Sequence, residues 1–186
     1  MPSVETIDKG TGKTDRRQPY KNFIIQGLLR SFSVLNQTTM TTIIDPAALF
    51  DFFSDAVFAK DTEAYLELYD EQVLVFDMWQ QWTYHGLPAW RKMVEGWFSS
   101  LGSDRDRVTF RDKHVEMAGD MGFVAAIVRF AAVSETGEEL RFLDNRLTWV
   151  LRRKNESWKI VHQHTSGPID FNTMKVLLKN EELPKQ

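Results

Sequence analysis

The chain has 186 residues, of which 42% are hydrophobic and 26% are charged, and its formal net charge is −3. These values are typical of one globular domain with a short appended segment, and they exclude a chain dominated by disorder. Residues 1–44 hold 6 basic and 3 acidic residues, which leaves 17 basic and 23 acidic residues in the remainder, so a nucleic-acid-binding surface is not expected there.

Cysteine and membrane signals are absent from the sequence. Without cysteine, disulfides and thiolate chemistry are excluded. No apolar run approaches the roughly 18 residues that span a membrane. No apolar core follows a basic start, as a secretory signal would require. We therefore expect a soluble, cytoplasmic protein with no membrane partner.

Residues 1–44 form a separate region in the sequence pattern. Residues 1–22 are polar and show no periodicity, which favours disorder. Residues 23–35 have apolar side chains at helical spacing, which predicts a short amphipathic helix that packs on the domain or on a partner. The alternative is an upstream extension of a true start at Met40. We expect residues 1–44 to be a poorly ordered or amphipathic extension of a domain spanning residues 45–183.

Three helices are predicted in this domain. Asp45-Pro46 supplies an N-cap acid followed by proline, and apolar residues then recur at helical spacing to about Lys60. Asp61 or Thr62 caps a second, short helix. Gly86-Leu87-Pro88 begins a third helix, whose apolar stripe comprises Trp90, Val94, Trp97, Phe98 and Leu101.

Strands are predicted at residues 72–78, 108–117, 122–134, 139–153 and 158–165, because β-favouring residues there are separated by turn sequences. Residues 79–84 form an aromatic-rich connection, and residues 172–178 predict a short terminal helix over the sheet. Early helices followed by antiparallel strands predict an α+β domain with helices on one face of a curved sheet.

The closing hairpin carries the most specific pattern. Residues 158–168 read WKIVHQHTSGP, after an Arg-x-Thr at residues 146–148 and paired basic residues before the turn. Together with VFD at 75–77, YHG at 84–86 and the helical stretch 87–101, this pattern resembles SnoaL-like proteins of the nuclear transport factor 2-like superfamily. The resemblance covers about residues 45–183. It implies a cone of about three N-terminal helices packed on a curved, mostly antiparallel sheet.

This superfamily includes proteins of several activities, so the resemblance leaves the chemistry open. Its members include ketosteroid isomerases, polyketide cyclases, epoxide hydrolases and the association domain of calcium/calmodulin-dependent kinase II. The resemblance gives no reason to expect a cofactor or a metal.

A polar row on the strand after residue 139 is a candidate ligand site. Alternate residues of a strand share a face, so Asp144, Arg146 and Thr148 lie on one side, and Leu147 and Trp149 on the other. The resemblance implies that the polar row faces the cavity, where Arg146 would bind a carboxylate or carbonyl oxygen. The alternative is an internal Asp144–Arg146 pair that satisfies buried polarity.

Arg129 occupies one of the alternate positions of an otherwise apolar strand. An unpaired buried guanidinium is too costly. Arg129 therefore requires a carboxylate or ligand partner, or a position at the end of the sheet where it reaches water.

Asp77 ends an apolar strand among aromatic residues, where desolvation raises the pKa of a carboxyl toward the range useful to a general base or acid. Ketosteroid isomerases use a carboxylate base with a hydrogen-bonding oxyanion site, so Asp77 could be the base and Tyr84 a donor. The alternatives are a structural pairing with Arg146, or an Asp-Arg-Asp arrangement with Asp144 like that of epoxide hydrolases.

His162 and His164 are two residues apart on the last strand, with Gln163 and Thr165 on its other face. The sequence does not say which pair faces inward. An H-x-H pair can bind zinc when other ligands converge. The alternatives are hydrogen-bonded sheet or interface residues, or a group that contacts ligand as acid, base or donor.

The densest aromatic region includes Trp79, Trp82 and Trp90. These residues are candidates for the wall of a pocket that receives a flat apolar molecule. The sequence therefore favours a homodimeric domain that binds a small, partly apolar organic molecule between helices and sheet, with acid/base isomerase, cyclase or hydratase chemistry left open. The alternative is a non-catalytic association module with a vestigial pocket.

Overall fold

The computed structural model describes residues 42–180, where it contains three helices and one sheet of six strands. The predicted amphipathic helix at residues 23–35 and the alternative start at Met40 lie outside the described residues. The helices are α1 (Ala48–Ala59), α2 (Thr62–Glu67) and α3 (Gly86–Ser100). The strands are β1 (Tyr69–Phe76), β2 (Tyr84–His85), β3 (Arg105–Ala118), β4 (Met121–Val133), β5 (Glu139–Lys154) and β6 (Ser157–Ser166).

Acidic side chains lie at the starts of the first two helices, in a turn before α1 and as the N-cap of α2. The Asp45 carboxylate accepts a hydrogen bond from the Ala47 amide at 2.9 Å, so α1 begins after a turn rather than at Pro46 as predicted. The Asp61 carboxylate accepts from the Ala64 amide at 3.0 Å, which confirms the predicted cap of α2. Each such bond satisfies an amide that has no partner within its own helix.

The sheet has the strand order β2-β1-β6-β5-β4-β3 and is not closed. All neighbouring strands pair antiparallel except β1 and β6, which run parallel with Val75 opposite Gln163 and Phe76 opposite His164. Because parallel strands point the same way, the C-terminal ends of β1 and β6 lie at the same end of the sheet. The predicted α+β class with a curved, mostly antiparallel sheet is confirmed.

The core lies between α1 and one face of the sheet. The Trp149 ring on β5 packs against Phe50 and Phe53 of α1, with ring centroids 5.5 and 5.4 Å apart. Leu147 and Leu151 share its face and are buried. We call this the inner face and the opposite side the outer face.

The predicted terminal helix at residues 172–178 is wrong. Asp170 accepts hydrogen bonds from the amides of Asn172 and Thr173 at 3.1 and 2.7 Å, which makes a tight turn. An isolated bridge then joins Ile169 to Val176. The side chain of Asp170 thus competes with helical hydrogen bonding, as Asp side chains commonly do. Within residues 42–180, no helix has the length and apolar character needed to cross a membrane.

Candidate functional site

A buried polar network lies on the inner face around Gln163. Its amide oxygen accepts hydrogen bonds from the Tyr69 hydroxyl at 2.8 Å and from the Trp149 indole N–H at 2.9 Å. The Tyr65 and Tyr69 hydroxyl oxygens are 2.8 Å apart. Gln163 takes this position because the register of β6 sets it between Trp149 on β5 and Val75 on β1. Gln163 and Thr165, rather than the histidines, are therefore the inward-facing pair.

The two phenols of this network stay protonated. Burial raises the pKa of Tyr65 and of Tyr69 well above the ordinary value. A neutral phenol has one proton to donate. Since Tyr69 uses its proton on Gln163, the contact between the two hydroxyls is satisfied when Tyr65 donates to Tyr69. We call this network of Tyr65, Tyr69, Trp149 and Gln163 the polar floor.

Asp77 follows the last residue of β1 and continues the inner-face alternation of Val73 and Val75. The Thr165 hydroxyl donates to Asp77 Oδ1 at 2.7 Å and accepts from the Met78 amide at 3.1 Å. Burial raises the pKa of Asp77 and outweighs the hydrogen bonds from Thr165 and from the amides of Met78 and Trp79, which lower it. The side-chain partner of Asp77 is thus a hydroxyl, and the alternative of a structural pairing with Arg146 is not the one found.

Tyr84 lies near Asp77, and Trp90 packs against Tyr84. Tyr84 pairs with Val75, so it shares the inner face, and its ring centroid is 5.4 Å from that of Trp90 on α3. Burial and the nearby Asp77 raise the pKa of Tyr84. Asp77 and Tyr84 are therefore near neighbours, and their assignment as base and donor stays a prediction.

Two buried polar atoms in this region have no hydrogen-bond partner among the described residues. One is Trp90 Nε1, which lies near enough to the Tyr69 hydroxyl to lower its pKa but is outside hydrogen-bond geometry. The other is Asn145 Oδ1. Asn145 lies on the inner face of β5 next to Leu147, on the side toward the end of the sheet where Asp77 lies. Trp90 is 2% exposed and Asn145 is 4% exposed. A buried polar atom without a partner costs about 1–3 kcal/mol and calls for an explanation, such as a ligand or water.

We call Asp77, Thr165, Tyr84, Trp90 and Asn145 the interior site. It combines a carboxyl of raised pKa with a buried indole N–H and a buried amide oxygen for which the described residues supply no hydrogen bond of good geometry. Sequence reasoning missed Tyr65, Tyr69, Asn145 and the importance of Thr165 and Gln163. The spacing of Tyr65 and Tyr69 was visible, but nothing in the sequence showed that a helix ends and a strand begins between them.

Arg129 and Asp144 lie on the outer face, not in a cavity between helices and sheet. Arg129 Nε and Nη2 donate to the two carboxylate oxygens of Asp144 at 2.9 and 3.1 Å, and the Arg111 guanidinium is 3.7 Å away. The Asn180 amide also donates to Asp144 at 2.9 Å. The salt-bridge alternative for Arg129 is therefore the correct one.

The prediction that Arg146 faces the cavity is also wrong. Arg146 is exposed, and its strand neighbour Leu147 is buried on the inner face. The reason is that the apolar side of β5 packs against the helices, which leaves the polar row to face away from them. Asp144 accordingly pairs with Arg129 across the strands and not with Arg146 along its own strand.

Replacing Asp144 by Asn is expected to lower the free energy of unfolding by about 2–4 kcal/mol at neutral pH, because two guanidinium groups then lose their shared carboxylate. Burial raises the pKa of Asp144, but the hydrogen bonds from Arg129 and Asn180 and the nearby arginine charges bring it below the ordinary value. The contribution is therefore present above about pH 4 and is lost as the pH falls through the lower native pKa.

Urea denaturation of wild type and Asp144→Asn between pH 3 and pH 7 measures this difference. Asp112→Asn is the control, since Asp112 is exposed on β3, the strand that carries Arg111. A stability difference that stays constant down to the acid limit would contradict the assignment.

His162 and His164 lie on the outer face. The ring of Phe76 meets both imidazoles edge-on, with centroids 5.1 and 5.9 Å apart. His162 Nδ1 is 2.9 Å from the Leu74 carbonyl oxygen, to which it donates. Within residues 42–180, no three His, Asp or Glu side chains converge as a metal site requires. Neither histidine reaches the interior site.

The three tryptophans predicted to line a pocket separate in the structure. Trp90 belongs to the interior site. Trp79 is partly exposed and Trp82 is 95% exposed, and both lie in the connection between β1 and β2. They face solvent at the edge of the sheet instead of lining the interior.

Comparisons with solved structures find the same fold in proteins of low sequence identity. A nuclear transport factor 2-like protein of unknown function from Pseudomonas putida KT2440 is 22% identical with a TM-score of 0.65, covering 73% of this chain and 93% of its own. A candidate ketosteroid isomerase from Parabacteroides distasonis is 20% identical with a TM-score of 0.51, covering 72% and 91%.

A candidate calcium/calmodulin-dependent protein kinase II association domain from Xanthomonas campestris is 19% identical with a TM-score of 0.53, covering 64% of this chain and 83% of its own. Among curated proteins, none matches the sequence significantly. The family model described as SnoaL-like domain matches residues 47–170, so the chain belongs to the SnoaL-like domain family of nuclear transport factor 2-like fold.

Proposed function

We propose that the chain binds a small, partly apolar carbonyl compound at the interior site and moves a proton through Asp77. The observation that carries the proposal is the combination of one carboxyl whose pKa burial raises with an unpartnered indole N–H in the same buried region. A raised carboxyl pKa brings a base closer to the operating pH, which is what general acid/base catalysis requires.

The proposed step is removal of a proton next to a carbonyl group. The ionised Asp77 takes the proton, the C–H electron pair forms a carbon–carbon double bond, and the carbonyl oxygen becomes an enolate oxygen. The Trp90 N–H donates to that oxygen, and the neutral phenol of Tyr84 is the second candidate donor. Return of the proton from Asp77 to another carbon gives an isomerisation. Return to the same carbon after exchange with water gives hydrogen exchange.

The structural similarity to a candidate ketosteroid isomerase supports this class of reaction but does not identify the substrate. The side-chain oxygen Oδ1 of Asn145 can accept a hydrogen bond. It therefore favours a ligand that carries a hydroxyl or amine donor as well as its carbonyl group. The distance between Asn145 Oδ1 and Trp90 Nε1 in the bound state sets the separation between the donor and the carbonyl group of the ligand.

The experiment is calorimetric titration of 2-tetralone, a flat apolar ketone, into wild type, Trp90→Phe and Arg146→Ala. Trp90→Phe keeps an aromatic ring but removes the N–H, so binding is expected to weaken by about 2- to 10-fold, as the loss of one hydrogen bond predicts. Arg146→Ala is the control on the outer face and is expected to bind like wild type. Equal affinities for all three proteins would remove Trp90 from the site, and an affinity lost only in Arg146→Ala would place the ligand on the outer face.

A second candidate function is association through the outer face of the sheet. Phe76, Met121 and Phe123 are each about 40% exposed on the outer face, which is unusual for large apolar side chains away from an interface. The densely packed aromatic core is also what an association module with a vestigial pocket would have. We therefore propose a homodimer formed by this face.

Light scattering on eluted protein tests the dimer. Wild type is expected at twice the chain mass. Phe123→Glu is expected at the chain mass, because burying a charged carboxylate in an apolar contact costs desolvation free energy. Ile44→Glu is the control at an exposed apolar residue next to α1. A monomeric wild type would reject the dimer, and a dimeric Phe123→Glu would move the contact elsewhere.

A further inference from the structure

A cavity separate from the interior site lies at the edge of the sheet that β3 forms. Its volume is about 360 Å³, which is within the range that small-molecule ligands occupy. The strands β6, β5 and β4 lie between β3 and β1, the strand that leads to the interior site. We call it the edge cavity, and its polar lining comprises Ser103, Arg105, Arg107, Ser134 and Glu135.

Two arginines of β3 line the edge cavity. Arg105 and Arg107 are two residues apart on the strand, so they project to the same side with Cα atoms about 7 Å apart. Arg105 Nη1 donates to the Phe58 carbonyl oxygen at 2.8 Å, and the guanidinium carbon lies 5.4 Å from the centroid of the Phe58 ring. For Arg107, residues 42–180 supply neither a hydrogen bond nor an ion pair. One guanidinium is therefore held in place, and the donors of the other are available to a ligand.

The loops on both sides of the edge cavity are held by their own hydrogen bonds. Lys60 Nζ donates to two carbonyl oxygens of the loop that precedes β3, at 2.7 and 3.1 Å. In the hairpin between β4 and β5, Ser134 Oγ lies 2.8 Å from Thr136 Oγ1 and accepts from the Glu138 amide at 3.1 Å. The cavity is thus formed before a ligand binds, which lowers the entropy cost of binding.

The edge cavity carries positive charge on an acidic domain. Its lining holds two guanidinium groups and one carboxylate, that of Glu135, whereas residues 45–186 hold 17 basic and 23 acidic residues. In the part of the chain that the structure describes, no carboxylate oxygen lies within 4.0 Å of Arg105 or Arg107. Neither guanidinium is therefore neutralised by an ion pair within the domain. A positive cavity attracts anions, and guanidinium groups bind their oxygens through several N–H donors.

The separation of the two arginines favours phosphate over carboxylate. A carboxylate presents two oxygens, which one guanidinium group can bind in a bidentate pair. A phosphate monoester presents three terminal oxygens and carries a charge of about −1.5 to −2 at neutral pH, so it can accept from both arginines at once. The Glu135 carboxylate would repel an anion placed beside it, but it would accept a hydrogen bond from a hydroxyl group.

We infer that the edge cavity binds a small phosphate ester that also carries hydroxyl groups. The phosphate accepts from Arg107 and from the N–H donors of Arg105 that Phe58 does not use. A hydroxyl group of the ligand donates to Glu135. This site is independent of the proposed function, because it shares no residue with the interior site. It also lies away from the proposed dimer contact, since Phe123 pairs with Glu116 toward the other end of β3.

Calorimetric titration of glycerol 3-phosphate at low salt tests the inference with wild type, Arg107→Gln and Arg146→Gln. Arg107→Gln removes the charge and the guanidinium fork, so binding is expected to weaken by about 10- to 100-fold. Arg146→Gln removes the same charge from an exposed position on β5 and is expected to bind like wild type. Absence of binding to wild type would overturn the inference. Equal weakening in the two variants would also overturn it, because attraction to overall charge would then explain the binding.

Two further ligands test the two parts of the ester separately. Glycerol has no anionic group and is expected not to bind. Inorganic phosphate is expected to bind wild type more weakly than the ester does. It should bind Glu135→Gln about two- to fivefold more tightly than wild type, as removal of one nearby negative charge predicts. Inorganic phosphate that binds as tightly as the ester, or is unaffected by Glu135→Gln, would overturn the assignment of a hydroxylated ester.

The proposed function fails in a different experiment. Asp77→Asn and Trp90→Phe change the interior site and are expected to leave the affinity for glycerol 3-phosphate unchanged. Arg107→Gln is expected to leave the affinity for 2-tetralone unchanged. A loss of glycerol 3-phosphate binding in Trp90→Phe that matches the loss in Arg107→Gln would overturn the edge cavity as a separate site.

Discussion

Replacing Asp77 by Asn is expected to slow deuterium exchange at the carbon atoms beside the carbonyl group of bound 2-tetralone by about 10²- to 10⁴-fold, the usual contribution of a general base. The amide of Asn keeps the shape of the side chain and can still accept the hydrogen bond from Thr165, but it has no basic oxygen. The exchange is read by proton NMR of the ketone in deuterated buffer. In wild type the rate should rise with pH through the native pKa of Asp77, and this rise should be absent in the variant.

Loss of structure is separable from loss of chemistry in this experiment. Since burial raises the pKa of Asp77, the folded state holds its proton more tightly than the unfolded chain does, and stability falls as the pH rises through that interval. Asp77→Asn is therefore expected to be as stable as wild type at neutral pH, or more stable. A variant that unfolds would contradict this assignment of the charge.

Asp106→Asn is the matched control for Asp77. Asp106 is also buried on the inner face, and burial likewise raises its pKa, but its partner is the Trp97 indole at 3.0 Å. It lies on β3, which is separated from β1 by the strands β6, β5 and β4, and it pairs in register with Ala132. Exchange in Asp106→Asn should match wild type. Equal losses in both variants would show that general destabilisation, and not a base at position 77, controls the rate.

Replacing Gln163 by Leu is expected to lower the free energy of unfolding by about 2–6 kcal/mol, because two buried donors lose their acceptor at about 1–3 kcal/mol each. The donors are the Tyr69 hydroxyl and the Trp149 indole N–H, which both bond to the same amide oxygen. An indole N–H can only donate, so the atom facing it must be the oxygen. Leu has a similar volume, so the loss reports the hydrogen bonds and not a cavity.

Urea denaturation at neutral pH measures this loss, with Gln72→Leu as control. Gln72 is an exposed glutamine on β1, where a surface substitution changes stability by about 0.5 kcal/mol or less. A change below about 1 kcal/mol in Gln163→Leu would mean that the polar floor contributes little to the fold. The tyrosines would then be free to move when a ligand binds.

Most of the helices and strands could be predicted from the sequence, because short-range patterns such as caps, apolar stripes and turns determine them. The Asp61 cap, the apolar stripe of α3 and the turn after β5 each have a pattern that one conformation satisfies best. The residues of the closing hairpin added the family. The boundary of the domain at residues 45–183 and a cytoplasmic location stay predictions.

The site was harder to predict, because a strand pattern fixes which residues alternate but not which side meets the helices. For β5 the apolar side of Leu147 and Trp149 settles the matter, and the polar row with Arg146 must face outward. The family resemblance implied that Arg146 faces inward, whereas the apolar pattern of β5 predicts that it faces outward. On β6 both sides carry polar residues, so only the register with Trp149 and Val75 could show that Gln163 faces inward.

Asp77 was identified from its neighbours because an acid at the end of an apolar strand has few ways to remain solvated. The unpartnered atoms of Trp90 and Asn145 could not be found in the same way. Their state depends on which side chains of other elements come within hydrogen-bond distance, and that information is spread over the whole fold.

The titration of the Asp77 carboxyl tests the interior site most directly. Carbon-13 NMR of aspartate-labelled protein, with the Asp77 signal assigned by its loss in Asp77→Asn, gives the midpoint as the pH is varied. We expect a midpoint above the ordinary value of an aspartate, and a displaced midpoint when 2-tetralone is added. A midpoint at or below the ordinary value, unmoved by the ketone, would contradict the assignment of Asp77 as a desolvated base in a ligand site.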